Sequence, residues 1–196
     1  MVSLTPCCAH KVRGDCTFSP LAGLPIPHVS FYDAEMAQLL IVWHSRTGGT
    51  LQMAEAAAEA ARAETETVLK RAEDTTPFDM FAASGFLFAA PENLAGLSGE
   101  MKEFFDRCYY PMLGQVEGRP YAQMVCAGSD GENAARQIRR IAMGWRLKEA
   151  QPPIIVCTNT KTQEDILAPK TIPEASLTRC ANLGQALGAG LAMGAF

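Results

Sequence analysis

Short unbroken apolar runs alternate along this chain with stretches of helical period. Residues 39–43 ("LLIVW") form a continuous apolar run of strand length, the pattern of a strand buried on both faces. Residues 50–63 read as an alanine-rich helix with Glu55 and Glu59 on one outer face. Weak alternation over Glu66–Arg71 predicts a second strand, and "FAASGFLFAAP" a third that ends at Pro91. Ser98 then stands where a helix cap belongs, ahead of Met101, Phe104, Phe105 and Cys108 at helical spacing. Glu100, Lys102, Glu103, Asp106 and Arg107 are expected on the outer face of that helix. Residues 121–127 predict a fourth strand. The next helix, opened by "GSDGEN", places Ala135, Ile138, Ile141, Ala142 and Trp145 on one stripe. "PPIIVCT" predicts a fifth strand. A final helix starts near Pro173 and turns Leu177, Ala181, Gly184, Leu187 and Leu191 inward. Phe86, Phe88, Phe104 and Phe105 read as core.

Strands that alternate with helices imply parallel βαβ units joined by right-handed crossovers. The fold class is therefore α/β, an open doubly wound sheet of five parallel strands with helices on both faces. In such sheets ligands bind at the carboxyl ends of the strands, near the point where the strand order reverses. The sequence departs from simple patterning at three strand ends, after Trp43, Ala90 and Ala127.

The first of these loops is "HSRTGGT". A turn directly before a helix gathers unpaired N–H groups and the positive end of the helix dipole. Gly48 and Gly49 allow close backbone approach to an anion, and Ser45, Thr47 and Thr50 add hydroxyl donors. The combination suits a phosphate, whereas a plain strand–turn–helix connection is the alternative. No lysine follows the glycines, so the loop is not a Walker motif. The GxGxxG spacing is missing, and no cysteine sits in the loop to act as a phosphatase nucleophile. A phosphate that is held rather than transferred points to a cofactor monoester. The second loop, "APENLAGLSGEMKEFFDR", can lay backbone groups along a flat heterocycle. The third, "CAGSDGENAARQI", is glycine-rich and can close the opposite side.

Composition narrows the classes further. The 196 residues carry a net charge of −4, which disfavours a general nucleic-acid binder. The longest apolar stretches fall short of a membrane span. Seven cysteines without a CxxC pair indicate a reducing, cytoplasmic setting, with Cys108, Cys126 and Cys157 inside apolar patterns. Residues 1–35 are proline-punctuated and lack both helical and strand period. They are expected to form an irregular, flexible extension, and residues 36–196 the folded domain. Met36 directly precedes the first strand, which suggests a start there with upstream sequence read from too early a codon. Cys7, Cys8, His10 and Cys16 match no standard zinc spacing, so no metal site is expected.

Taken together, "HSRTGGT", "PENLAGLSGEMKEFFDR" and "AGSDGE" resemble the three FMN-contacting loops of the flavodoxin-like superfamily. The resemblance is nearest to NAD(P)H-dependent FMN reductases and to quinone reductases of the tryptophan-repressor-binding-protein type. It implies that Ser45, Arg46, Thr47, Gly48, Gly49 and Thr50 hold the FMN phosphate. Pro91, Glu92, Asn93 and Leu94 would then border the isoalloxazine ring, and Gly128, Ser129, Asp130 and Gly131 its far edge. Leu94 stands where an aromatic is common, and Ala95 and Gly96 replace a frequent Gly-Asn.

The implied activity is hydride transfer from NAD(P)H to flavin, then to a quinone or another small-molecule acceptor, with no catalytic side chain required. Relatives of this type often form dimers or tetramers. The alternatives are a one-electron carrier of the flavodoxin type and a flavin-free interaction module of the same fold. The first 35 residues carry a net −1, leaving −3 for the rest, which is mild for a carrier that docks through acidic charge. Arg46 can serve the phosphate, meet an incoming nucleotide or simply be solvated. His44 reads as structural, and Arg136, Arg139 and Arg140 as a solvated basic face.

Overall fold

The computed structural model describes residues 37–196, so the expectations for residues 1–35, for Met36 as a start and for Cys7, Cys8, His10 and Cys16 lie outside the described residues. The apolar runs become the strands β1 (Gln38–Trp43), β3 (Gly85–Asn93) and β5 (Pro120–Ala127), flanked by β2 (Glu66–Arg71). β1 pairs in parallel with β2 on one side and β3 on the other, and β5 pairs in parallel with β3. The far edge is made of two short pieces, β6 (Lys148–Glu149) and β7 (Ile154–Cys157), both parallel to β5. Tyr121 pairs with Glu149 and Met124 with Ile154, so residues 150–153 oppose only two residues of β5. Pro152 and Pro153 supply no N–H there, and an edge strand tolerates the bulge that follows. With β6 and β7 read as one interrupted strand, the parallel sheet has the five positions expected. The chain leaves β1 outward to β2 and returns on its other side to β3, which sets the switch point between β1 and β3.

Helices cover both faces. α1 (Gly49–Arg62) and α6 (Glu174–Ala192) pack on Leu39, Ile41, Leu87, Ala89, Ala122 and Met124. The opposite face, with Leu40, Val42, Phe86, Phe88, Tyr121 and Val125, carries α2 (Pro77–Ala82), α3 (Gly99–Met112) and α4 (Glu132–Gly144). Alternate residues of each central strand thus enter different cores, as the period of two requires. Phe88 is central to an aromatic cluster with Phe104, Phe105, Tyr121 and Trp145, and the Trp145 indole N–H donates to the Tyr109 carbonyl at 3.0 Å.

Several boundaries differ from the sequence expectation. The third strand begins at Gly85, because Pro77–Ala82 is a helix with Pro at its start and a Thr76–Asp79 capping box. It also runs on past Pro91 to Asn93, since β1 has already ended at the Trp43–Ala89 pair and that side of β3 carries no ladder. A two-residue strand, β4 (Gly96–Leu97), folds back antiparallel on β3. A five-residue helix, α5 (Gln163–Leu167), follows β7. On α6 the buried positions are Cys180, Leu183, Gly184, Leu187, Gly188 and Gly190, whereas Leu177, Ala181 and Leu191 are half-buried. Cys157 is exposed rather than core. Among the described residues, no helix is long and apolar enough to cross a membrane, and no group of three metal-ligating side chains occurs.

Candidate functional site

The loops after β1, β3 and β5 converge on one cavity of about 630 Å³ at the carboxyl end of the sheet. That volume lies in the usual range for small-molecule sites. Ser45, Arg46, Thr47, Gly49, Thr50, Pro91, Glu92, Asn93, Leu94, Gly128 and Ser129 line it, and Gly48, Asp130 and Gly131 do not.

The first loop owes its shape to two glycines with different duties. Gly48 is the N-cap of α1 at φ 85°, a left-handed conformation that disfavours any side chain. Gly49 has ordinary dihedrals but no room. A β-carbon there would lie 2.8 Å from Cys126 Sγ, 3.2 Å from Lys170 Cβ and 3.3 Å from Ile172 Cδ1. The first turn of α1 contains no acidic residue, so its dipole is left for an external anion. Thr50 lines the cavity and is 1% exposed; its hydroxyl has no nitrogen or oxygen partner and lies beside the weakly accepting Cys126 thiol. Beneath the loop, burial pushes the Cys126 thiol up from its ordinary value, which makes it a poor nucleophile.

The second loop is a tight hairpin, Asn93 pairing with Gly96 across Leu94 and Ala95. Both tip residues are left-handed, at φ 51° and 56°, without being glycine or asparagine. α4 holds this strained tip: Asn133 Nδ2 donates to the Ala95 carbonyl, and the Leu97 N–H donates to Gln137 Oε1 at 3.1 Å. The third loop is tied to the second where the Gly131 N–H donates to Glu92 Oε2 at 2.8 Å. Gly131 therefore contributes by holding Glu92, at a position (φ 87°) where a β-carbon would press on Ile155 Cγ2 at 2.6 Å. Glu92 Oε1 and Asn93 Nδ2 are buried at the cavity without partners.

The charged groups beside the first loop are paired with one another. Arg46 is mostly exposed at the rim, with Nη2 3.5 Å from Glu100 Oε1. His44, 12% exposed, shares a 2.9 Å hydrogen bond between Nδ1 and Ser98 Oγ, and its Nε2 lies 3.6 Å from Glu100 Oε2. Ser98 thus stands at the N-cap of α3 but spends its hydroxyl on His44 instead of on the helix. Burial lowers the His44 pKa below 6.5, with Glu100 offsetting part of the effect. The native state therefore takes up its proton at a lower pH than the unfolded chain. The stability His44 contributes is complete above pH 6.5 and is lost as pH falls through the native value. A proton NMR titration should place the His44 midpoint below 6.5; a midpoint above it would mean that Glu100, not burial, governs the ring. On the basic face of α4, Arg139 pairs with Glu149 and Arg136 donates to Asn133.

The cavity has a further wall that patterning missed. Ala95, Cys126 and Ala127 extend loops already expected, but Thr158, Thr160, Ile166, Leu167 and Lys170 come from the segment after β7. Its signal was present, since "TNTKTQEDILAPK" also leaves the carboxyl end of a strand. Lys170 adds no free cation: its Nζ donates to the carbonyls of Asp165, Ile166 and Ala168.

Comparison with known proteins agrees with this geometry. The family model for NADPH-dependent FMN reductase matches residues 78–159, which include the second and third loops. A flavodoxin from Aquifex aeolicus (strain VF5) is 36% identical over 86 residues, 43% of this chain and 46% of that protein, so the match spans less than half of the relative. Among solved structures, a flavodoxin from the domain Archaea superposes with TM-score 0.64 at 16% identity, covering 79% of this chain and 98% of that one. A flavodoxin, WrbA-like protein from Agrobacterium tumefaciens gives TM-score 0.61 at 18% identity over 80% and 98% of the two chains. Strand order, a loop-built cavity at the switch point and these likenesses together show a flavodoxin-like fold, with residues 78–159 similar to NADPH-dependent FMN reductases.

Proposed function

We propose that the protein is an FMN-dependent oxidoreductase that passes a hydride from NAD(P)H to flavin and then reduces a quinone or similar small acceptor. One observation carries the FMN part. A cavity of suitable size is lined by three residues that each hold a buried polar atom without a nitrogen or oxygen partner: Thr50 Oγ1 at the helix N-terminus, and Glu92 Oε1 and Asn93 Nδ2 on the second loop. Buried polar atoms without partners are costly unless a ligand satisfies them. Their distribution fits a group with a phosphate at one end and a hydrogen-bonding ring at the other. Ser45 to Thr50 would hold the phosphate, Pro91 to Leu94 would border the ring, and Gly128 and Ser129 would close it from the third loop. When bound, FMN supplies two-electron acceptance and release. The residues of this chain bind it, orient it and keep water from its buried side. No acid, base or nucleophile is demanded of them, which agrees with a neutral His44 and an unreactive Cys126.

The reductase step is supported by the family match over residues 78–159. A one-electron carrier is the second reading, favoured by the likeness to the Aquifex flavodoxin. Reconstitution with FMN followed by anaerobic NADPH, then NADH, separates the two. Bleaching of the flavin absorbance, reversed by a quinone, is the expected result. Bound flavin that neither nucleotide reduces would replace the reductase with the carrier, and a chain that retains no flavin would refute both.

A further inference from the structure

We propose that residues 158–172 form a fourth wall of the cofactor site, and that Gln52 and Lys170 are positioning residues that hold this wall. The inference rests on the FMN reading given above.

α5, the central part of the segment, buries none of its residues, so apolar packing does not fix it. Polar contacts do. At its start, Thr162 and Asp165 form a capping box. At its end, the Lys170 ammonium donates to three carbonyls, those of Asp165, Ile166 and Ala168, where the helix dipole is negative. α5 held in this way turns Ile166 and Leu167 to the cavity, although both stay largely exposed.

The wall is then fastened to the first loop. The Lys170 N–H donates to the Thr47 carbonyl at 2.8 Å. Gln52, at the end of the first turn of α1, does not line the cavity, yet its amide is fully engaged. Its Nε2 donates to Lys170 O at 2.6 Å and to Gly48 O at 3.1 Å, and its Oε1 accepts from the Ile172 N–H at 3.0 Å. One side chain therefore binds both the glycine turn and the returning strap. The close fit of Lys170 Cβ and Ile172 Cδ1 against Gly49 shows the same seam from its apolar side. The strap's other fixed points are the Thr158 bonds to the Ala127 carbonyl at one end and the buried Ile172 side chain at the other, so loss of the amide's bonds should loosen the wall between them and leave the sheet intact.

Two variants of the full chain test this. Gln52→Leu removes the seam's amide. Its apo form should show faster hydrogen exchange at the Ile172 amide and an unchanged global urea midpoint, and its FMN Kd should rise about tenfold by fluorescence titration. The double variant Ile166→Ser, Leu167→Ser leaves the seam intact, and its FMN Kd should rise about fivefold through lost apolar contact. Unchanged exchange in Gln52→Leu would overturn the positioning role. An FMN Kd in the serine variant equal to that of the parent would overturn the wall. A parent chain that does not bind FMN would remove the functional reading itself, and this inference with it, before any variant is compared.

Discussion

Thr50→Val should make the apo protein more stable while weakening FMN binding, two effects of opposite sign from one atom. The Thr50 hydroxyl is buried at the first turn of α1 with only the weakly accepting Cys126 thiol beside it, and valine keeps its branched shape. Removal of an unsatisfied buried polar group should stabilise the apo chain by ~1 kcal/mol. A hydrogen bond to a charged group is worth ~1.5–3 kcal/mol, so the FMN Kd should increase about 10- to 150-fold. Riboflavin, which lacks the phosphate, should bind the variant and the parent alike. Urea unfolding of the apo forms and fluorescence titrations with both flavins read all three quantities. If FMN and riboflavin weaken equally, Thr50 does not meet the phosphate. If FMN affinity is unchanged while the apo chain gains stability, the cradle lies elsewhere.

The parts of this molecule that patterning exposed are those encoded by local period. The unbroken run in β1 and the stripe of Met101, Phe104, Phe105 and Cys108 on α3 each report a buried surface within a few residues of sequence. α2 was equally legible in principle, since Thr76, Pro77 and Asp79 spell a helix start. An apolar Phe81-Ala-Ala stretch running into β3 disguised its end as strand. The β3–β4 hairpin had no such sign: Leu94 and Ala95 occupy left-handed positions that ordinarily announce themselves with Asn-Gly. Only the later side chains Asn133 and Gln137 make that turn tenable. The strap is hidden for the same reason, because Gln52 meets Lys170 and Ile172 across 118 and 120 residues. The loops that line the cavity were readable from topology, since they leave strand ends; the contacts that position them are long-range and polar, and such contacts leave no period.

The largest stability loss is expected at Gly184, far from any loop. Helix propensity alone predicts that Gly184→Ala in the interior of α6 gains ~1 kcal/mol. Packing predicts the reverse, because a β-carbon there would overlap the backbone carbonyl of Ala57 and lie 2.7 Å from its Cα. Backbone cannot rotate aside as a side chain can, so α1 and α6 must separate. Ala57 backs Gly184 and Ala61 backs Gly188 where the helices meet, and Ala54, Ala57, Ala58 and Ala61 of α1 are all fully buried in the core layer that also holds Leu187. Overpacking of this kind costs ~1–3 kcal/mol, which outweighs the propensity gain, and Gly184→Val should exceed that range. Gly188→Ala supplies the graded comparison. Its β-carbon would sit 3.0 Å from Ala61 O and 3.1 Å from Glu64 Cβ, so its loss should be smaller. α1 begins at the glycine turn, and a shift of its axis carries Gly49 and Thr50 with it, so FMN affinity should fall in step with the urea midpoint across the series. A Gly184→Ala chain more stable than its parent would show that the two helices have room to spare, and that α6 does not set the position of the cradle.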